Sequence, residues 1–144
     1  MVSGTGRGGA DLTMRRALTA AAAYFAIVFS LAFILGVIRT LFVAARTGDV
    51  VAVIIETPII LLVSWFAARW CARRFAVPAQ ARERLVMGFA AFVLLMAVET
   101  ALGLLLFARP LAQQLDAYAT PAGAIGLMAQ ALFGLMPLLT ARQR

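Results

Sequence analysis

LVMGFAAFVLLMAVETALGLLLFA, residues 85–108, is an apolar segment of membrane-crossing length, and its single charged residue is Glu99. A hydrocarbon core of about 30 Å requires about 20 apolar residues in a helix that rises about 1.5 Å per residue. Three other segments of the chain meet this requirement, at residues 17–43, 50–70 and 121–140. The sequence therefore predicts an all-α integral membrane protein with four transmembrane helices in an antiparallel bundle.

The composition of the whole chain agrees with this fold class. Of its 144 residues, 64% are hydrophobic and 13% are charged, and the mean hydropathy is +0.97. Soluble domains are about 45–50% apolar and about 25% charged. Nothing outside the four segments is long enough to bury a soluble core, so residues 15–144 are predicted to form one transmembrane domain. Residues 1–14 are rich in glycine, serine and threonine, and they are predicted to be a mobile cytoplasmic tail.

All thirteen basic residues are arginines, and their distribution predicts the orientation. Ten precede the first span, flank the connection between the second and third spans, or end the chain, whereas Arg39, Arg46 and Arg109 fall on the other side. Because cytoplasmic loops carry the excess of arginine, both termini are predicted to be cytoplasmic. The composition is typical of GC-rich bacterial genomes, which favours a bacterial inner membrane. The net charge of +7 indicates attraction to membrane lipids rather than binding of nucleic acid.

The residues that are missing exclude several kinds of chemistry. The chain has no histidine, and Cys71 is its only cysteine. The usual zinc, copper and haem ligand sets, a disulfide relay and a Ser-His-Asp nucleophile therefore cannot be assembled. We expect no metal and no other cofactor, and a non-catalytic role is favoured over an enzyme.

The connections are short and carry recognisable turn signals. Residues 46–49, Arg-Thr-Gly-Asp, predict a tight turn after which Asp49 caps the second span. In residues 110–119, Leu111, Leu115 and Tyr118 share one helical face, which predicts a short interfacial helix with Tyr118 at headgroup level. Thr120 followed by Pro121 is typical of an N-cap and a first-turn proline at the start of the fourth span.

Polar residues inside the spans are the main indication of a functional site. Counted from the outer helix ends, Glu56 lies about 9 Å deep, Glu99 about 10–13 Å and Gln130 about 13 Å. Arg39 enters from the outer end of the first span, and its long side chain can reach inward to a carboxylate. These four residues are predicted to form a proton- or cation-binding cluster in the outer half of the membrane. Charged groups at such depth are costly and usually face a partner or a pathway.

Small residues and one proline accompany this cluster. Gly36, Gly103, Gly126 and Gly134 are predicted to let helices approach closely, which also makes a homo-oligomer plausible. Pro58 cannot donate a hydrogen bond to the carbonyl of Ile54, so a helix kink with a free acceptor is predicted beside Glu56. The alternative interpretation is ordinary packing, in which the proline is tolerated and the glycines have no role in a site.

Two functions are compatible with this pattern. Two carboxylates in low-dielectric surroundings are not expected to remain ionised together, which suits a small membrane protein that binds or moves a proton, a cation or a cationic solute. The same groups also suit a static hydrogen-bonded network in a non-catalytic accessory or assembly subunit of a larger membrane complex. The sequence names neither the solute nor the protein partner.

Overall fold

The computed structural model describes residues 5–141, and every regular element in this range is helical. The elements are α1 (Thr5–Ile38), a π-helical segment (Arg39–Val43), α2 (Ala44–Thr47), α3 (Asp49–Arg74), α4 (Ala81–Leu105), α5 (Leu111–Tyr118) and α6 (Pro121–Ala141). Four helical stretches are long and apolar enough to cross a membrane: Gly8–Thr47, Asp49–Arg74, Ala81–Leu105 and Pro121–Ala141. Each contains most of one predicted span, so the all-helical architecture with four such helices is confirmed.

Helix boundaries differ from the predicted ones at three places. The predicted tail is helical from Thr5, because good helix formers follow its glycines and extend α1 towards the N-terminus. Helix α3 continues to Arg74 instead of ending near Trp70. Helix α4 ends at Leu105 rather than at residue 108, because the chain turns back there. The rest of the predicted tail, residues 1–4, and the arginines at 142 and 144 lie outside the described residues.

The four long helices are arranged as a closed ring. Helix α1 packs against α3 and α4, and α6 packs against the same two helices. Within the described part of the chain, α3 and α4 are consecutive but lie diagonally across the ring. Tyr24 crosses the centre from α1 to α6: its hydroxyl donates to the carbonyl oxygen of Phe133 at 2.9 Å, and the two rings stack with centroids 4.5 Å apart.

One half of the ring is tightly packed. Its core combines alanines from α1 and α3 with larger side chains from α4 and α6, namely Ala17, Ala20, Ala21, Ala67, Ala68, Met87, Leu95, Phe133 and Met136. The small residues permit close helix contact. The closest approach joins α4 to α6, where a Cβ atom on Gly88 would overlap the carbonyl oxygen of Gly134. Gly134 thus lies at a helix contact, and its partner is a glycine that the sequence did not single out.

The connections before α3 and α6 agree with the predicted turns in all but one detail. A single non-helical residue, Gly48, joins α2 to α3, and its φ of 83° favours glycine. The prediction that Asp49 caps α3 is wrong: Gly48 occupies the cap position without a side-chain hydrogen bond, and Asp49 is the first helical residue. At the start of α6, the N-cap prediction is confirmed, because the Thr120 hydroxyl accepts a hydrogen bond from the backbone N–H of Gly123 at 3.1 Å.

The connection between α3 and α4 is shorter than the predicted one. It covers residues 75–80 and is held by Arg84, a buried residue of α4. The Arg84 side chain donates through Nε to the carbonyl of Pro78 at 3.0 Å and through Nη2 to that of Val77 at 3.4 Å. Arg84 therefore closes this loop, whereas Arg73, Arg74 and Arg82 are exposed.

Candidate functional site

The packed core gives way to a cavity at the other half of the ring. The cavity has a volume of about 690 Å³ and begins where Val28, Leu95 and Phe133 end the core. Its size lies within the range of small-molecule sites, about 300–1,000 Å³. The structure brings all four predicted binding residues to its wall: Arg39, Glu56, Glu99 and Gln130.

Arg39 and Glu56 form an ion pair across the cavity wall. The Nε atom of Arg39 lies 2.7 Å from Oε2 of Glu56, and their side chains are 31% and 14% exposed. At this distance the two opposite charges are in direct contact. The contact is therefore electrostatic, and it neutralises the Glu56 carboxylate.

The π-helical segment positions Arg39. In this segment the backbone N–H of Ala44 donates to the carbonyl of Arg39, five residues earlier, so the turn is wider than in an α-helix. The Thr40 hydroxyl also donates back to the carbonyl of Gly36 at 2.8 Å. A π-helical turn inside an α-helix often occurs at a functional site. Here it sets the direction in which Arg39 leaves the helix.

Glu99 and Gln130 form a second polar pair, which joins α4 to α6. Nε2 of Gln130 donates to Oε2 of Glu99 at 2.6 Å. Glu99 is half-buried and lines the cavity, and it makes no ion pair with any residue that the structure describes. The Oε1 atom of Gln130 is buried and has no hydrogen-bond partner in the same range. Glu99 thus differs from Glu56 in having an amide neighbour but no counter-charge.

Helix α5 and the loop before it cover the end of α4 beside Glu99. Nε2 of Gln114 donates to the carbonyl of Arg109 at 3.0 Å and lies 3.5 Å from that of Thr100. Gly103 was predicted to let helices approach closely, and the Gln114 side chain of α5 fills the space above it. Gln114 was missed because its hydrogen bonds depend on the reversal of the chain after Leu105. The only signal in the sequence was that Gln114 is a polar residue on a short helix whose leucines, Leu111 and Leu115, are exposed.

Tyr118 also belongs to the cavity. It is half-buried and lines the cavity, while Leu111 and Leu115 of the same helix are exposed. Its position at headgroup level stays a prediction. Burial raises the pKa of the Tyr118 phenol, and the negative charge of Glu99 raises this pKa further. The short helix at residues 111–118 is where the sequence predicts it, but its inward face is formed by Gln114 and Tyr118.

The remaining predicted residues do not share one environment. Gly36 and Gly126 line the cavity, and a Cβ atom on either would meet open space, so they are not at a helix contact. Pro58 is exposed and is not part of the cavity wall. Helix α3 continues through Pro58 without interruption. The glycines therefore widen the cavity, and the proline faces away from it.

The cavity combines aromatic walls with a carboxylate, Glu99, that has no counter-charge among the described residues. Aromatic side chains line much of its wall, including Phe29, Phe33, Phe107, Phe133 and Tyr118. Aromatic faces attract cations, and a carboxylate without a counter-charge attracts them more strongly. Among residues 5–141, no group of three or more histidine, cysteine, aspartate or glutamate side chains could hold a metal ion.

The fold and the site define a class: a small helical protein with four membrane-length helices, packed at one end and enclosing a carboxylate cavity at the other. Comparison of the chain with protein-family models, with curated proteins and with solved structures found no match.

Proposed function

We propose that this chain is a multi-pass membrane protein that binds, and moves, a proton, a cation or a cationic solute at Glu99. The observation that carries the proposal is the difference between the two carboxylates. Glu56 has Arg39 at 2.7 Å, whereas Glu99 has only the amide of Gln130. A half-buried carboxylate without a counter-charge is costly in low dielectric, and an entering proton or cation removes that cost.

The distribution of charge supports the proposed orientation. Arg39 and Arg109 lie at the cavity end, while exposed arginines cluster beyond the packed core at the other end: Arg15, Arg16, Arg73, Arg74 and Arg82. By the positive-inside rule, we infer that the termini lie in the cytoplasm and that the cavity lies in the outer half of a bacterial inner membrane. The short connections then require the four spans to alternate in direction.

The second candidate function is that of an accessory subunit. The Arg39–Glu56 contact joins the end of the first span to α3, and the Glu99–Gln130 contact joins α4 to α6. Such links can have a purely structural role, in which they fix the packing of helices within a larger complex. The two candidates differ in whether Glu99 responds to a solute.

The experiment measures binding of dodecylammonium to the full chain in lipid nanodiscs. Infrared spectra of the carboxyl bands are recorded during the titration. We expect saturable binding that perturbs a carboxyl band, and we expect Glu99→Gln to remove both the band change and the binding. Met128→Leu is the control, because Met128 is exposed on the same helix as Gln130 and does not line the cavity. If no carboxyl band responds to the amine or to pH, the binding function is excluded and the accessory role is favoured.

A further inference from the structure

We propose that the ligand of this cavity is an ammonium–phosphate zwitterion with an apolar body, held with its ammonium group at Glu99 and its phosphate at Arg109. The inference rests on the proposed function, because it assigns the second charge of a ligand whose cationic group binds Glu99.

Arg109 is a cation at the cavity wall without a counter-charge. It lines the cavity and is exposed. Its guanidinium carbon lies 5.6 Å from the centroid of the Phe107 ring, and it makes no ion pair with any residue between 5 and 141. Sequence reasoning placed Arg109 only on the outer side of the membrane and gave it no role in the site.

The chain reversal after α4 returns the backbone of Arg109 to residues 100–103 of α4, the turn that follows Glu99. Ala108 adopts a positive φ of 47°, and the backbone N–H of Arg109 donates to the carbonyl of Gly103 at 2.9 Å. The single amide nitrogen of Gln114 lies within 3.5 Å of both the Arg109 carbonyl and the carbonyl of Thr100, the residue after Glu99. Arg109 therefore lies near the level of Glu99, although ten positions separate them in the chain.

Charge balance selects a zwitterion over a simple cation. Arg39 and Glu56 neutralise each other, which leaves one negative group, Glu99, and one positive group, Arg109. A simple cation would neutralise Glu99 and leave Arg109 without a partner. A ligand with both charges satisfies both residues, and complementary charges of this kind give specificity. The planar guanidinium of arginine matches the oxygens of a phosphate in a bidentate arrangement.

The aromatic residues of the cavity wall indicate that part of the ligand is apolar. Phe29 and Phe33 face the cavity from α1, and Phe107 faces it from the end of α4. Phe33 and Phe107 are also largely exposed, so the apolar lining continues to the outer surface of the helices. An alkyl chain attached to the headgroup can leave along this surface.

The test compares single-chain amphiphiles that share one alkyl chain and differ in charge. Dodecyl phosphoethanolamine, dodecylammonium and dodecyl phosphate are titrated against the full chain in nanodiscs, and soluble phosphoethanolamine is titrated as the form without a chain. We expect the zwitterion to bind about tenfold more tightly than dodecylammonium, as one added charge-assisted hydrogen bond would give. Tight binding of the chain-bearing form alone identifies a lipid headgroup as the source, and equal binding of the soluble form identifies a free metabolite; both support the proposal.

Arg109→Gln separates this inference from the proposed function. We expect Arg109→Gln to remove the tenfold advantage of the zwitterion over dodecylammonium, and we expect Arg109→Lys to restore part of that advantage. Arg46→Gln is the matched control, because Arg46 is exposed at the same end and does not line the cavity. Equal binding of zwitterion and ammonium to the wild type would overturn the inference but leave the proposed function intact. If neither binds and no carboxyl band responds to pH, while circular dichroism shows the native helix content, both proposals fail.

Discussion

The Tyr24 hydroxyl donates its hydrogen bond to the carbonyl of Phe133, the acceptor that Pro137 leaves without a donor in its own helix. Proline has no backbone N–H, so the carbonyl four residues earlier is unpaired within α6. Tyr24 is fully buried and comes from α1, on the opposite side of the ring. One side chain thus satisfies a helix defect and joins two helices that are not neighbours.

Tyr24→Phe is expected to reduce the free energy of unfolding by about 1–3 kcal/mol, because it leaves a buried carbonyl without a donor. The measurement is equilibrium unfolding in detergent. In Pro137→Ala the restored N–H supplies the donor, so adding Tyr24→Phe to that background should have a smaller effect. Equal losses in both backgrounds would show that the effect of Tyr24→Phe does not depend on the donor that Pro137 lacks.

Gly88→Ala is expected to destabilise the fold by about 1–3 kcal/mol, because its methyl group would overlap the Gly134 backbone and force α4 and α6 apart. Gly126→Ala is the matched control in the same helix pair. Its methyl group meets open space, and alanine favours the helix by up to about 1 kcal/mol. Thermal unfolding of both variants tests this prediction, and similar melting temperatures would contradict it.

Arg39→Gln and Glu56→Gln are each expected to destabilise the fold. The double substitution is expected to reduce the free energy of unfolding by less than the sum of the two single effects. Either single change leaves a half-buried charge without its partner, whereas the double change removes both charges. A double-mutant cycle should give a coupling free energy within about 0.5–3 kcal/mol. Additive effects would show that the 2.7 Å contact has no energetic weight.

Glu99→Gln is expected to lower the pKa of Tyr118. Burial raises that pKa, and the Glu99 carboxylate raises it further because a phenolate beside a negative charge is unfavourable. Removing the negative charge removes the second cause and leaves the first. Titration of ring-labelled tyrosine by NMR measures the change. An unchanged pKa would mean that Glu99 carries no charge near the phenol.

Some of the site could be predicted from sequence because helix geometry is periodic. Depth along a helix follows from residue count, which is why Glu56, Glu99 and Gln130 were expected at one level. Their pairing could not be predicted, because rotation of each helix about its axis is set by side-chain packing. The result is that Arg39 pairs with Glu56 and Gln130 with Glu99.

The residues that were missed lie where the chain departs from periodicity. Arg109 and Gln114 approach residues 100–103 of α4 only because the backbone reverses at Ala108, a non-glycine residue with positive φ. Such a conformation is uncommon for alanine, and the local sequence carries no signal for it. Gly88 was missed for a different reason: close approach depends on a glycine in the facing helix, and the pairing of α4 with α6 had not been established.

The π-helical turn at residues 39–43 changes the rotation of the chain about the helix axis between α1 and α3. With Gly48 as the only residue between α2 and α3, the connection is too short to absorb a rotational mismatch between them. Each residue of an α-helix advances the chain by about 100°, so one wide turn shifts every residue beyond it around the axis. Lengthening the linker at Gly48 is expected to change the rotation of α3 relative to α1 and to weaken the contact between Arg39 and Glu56. The ion pair in the cavity is thus a product of loop length as much as of charge.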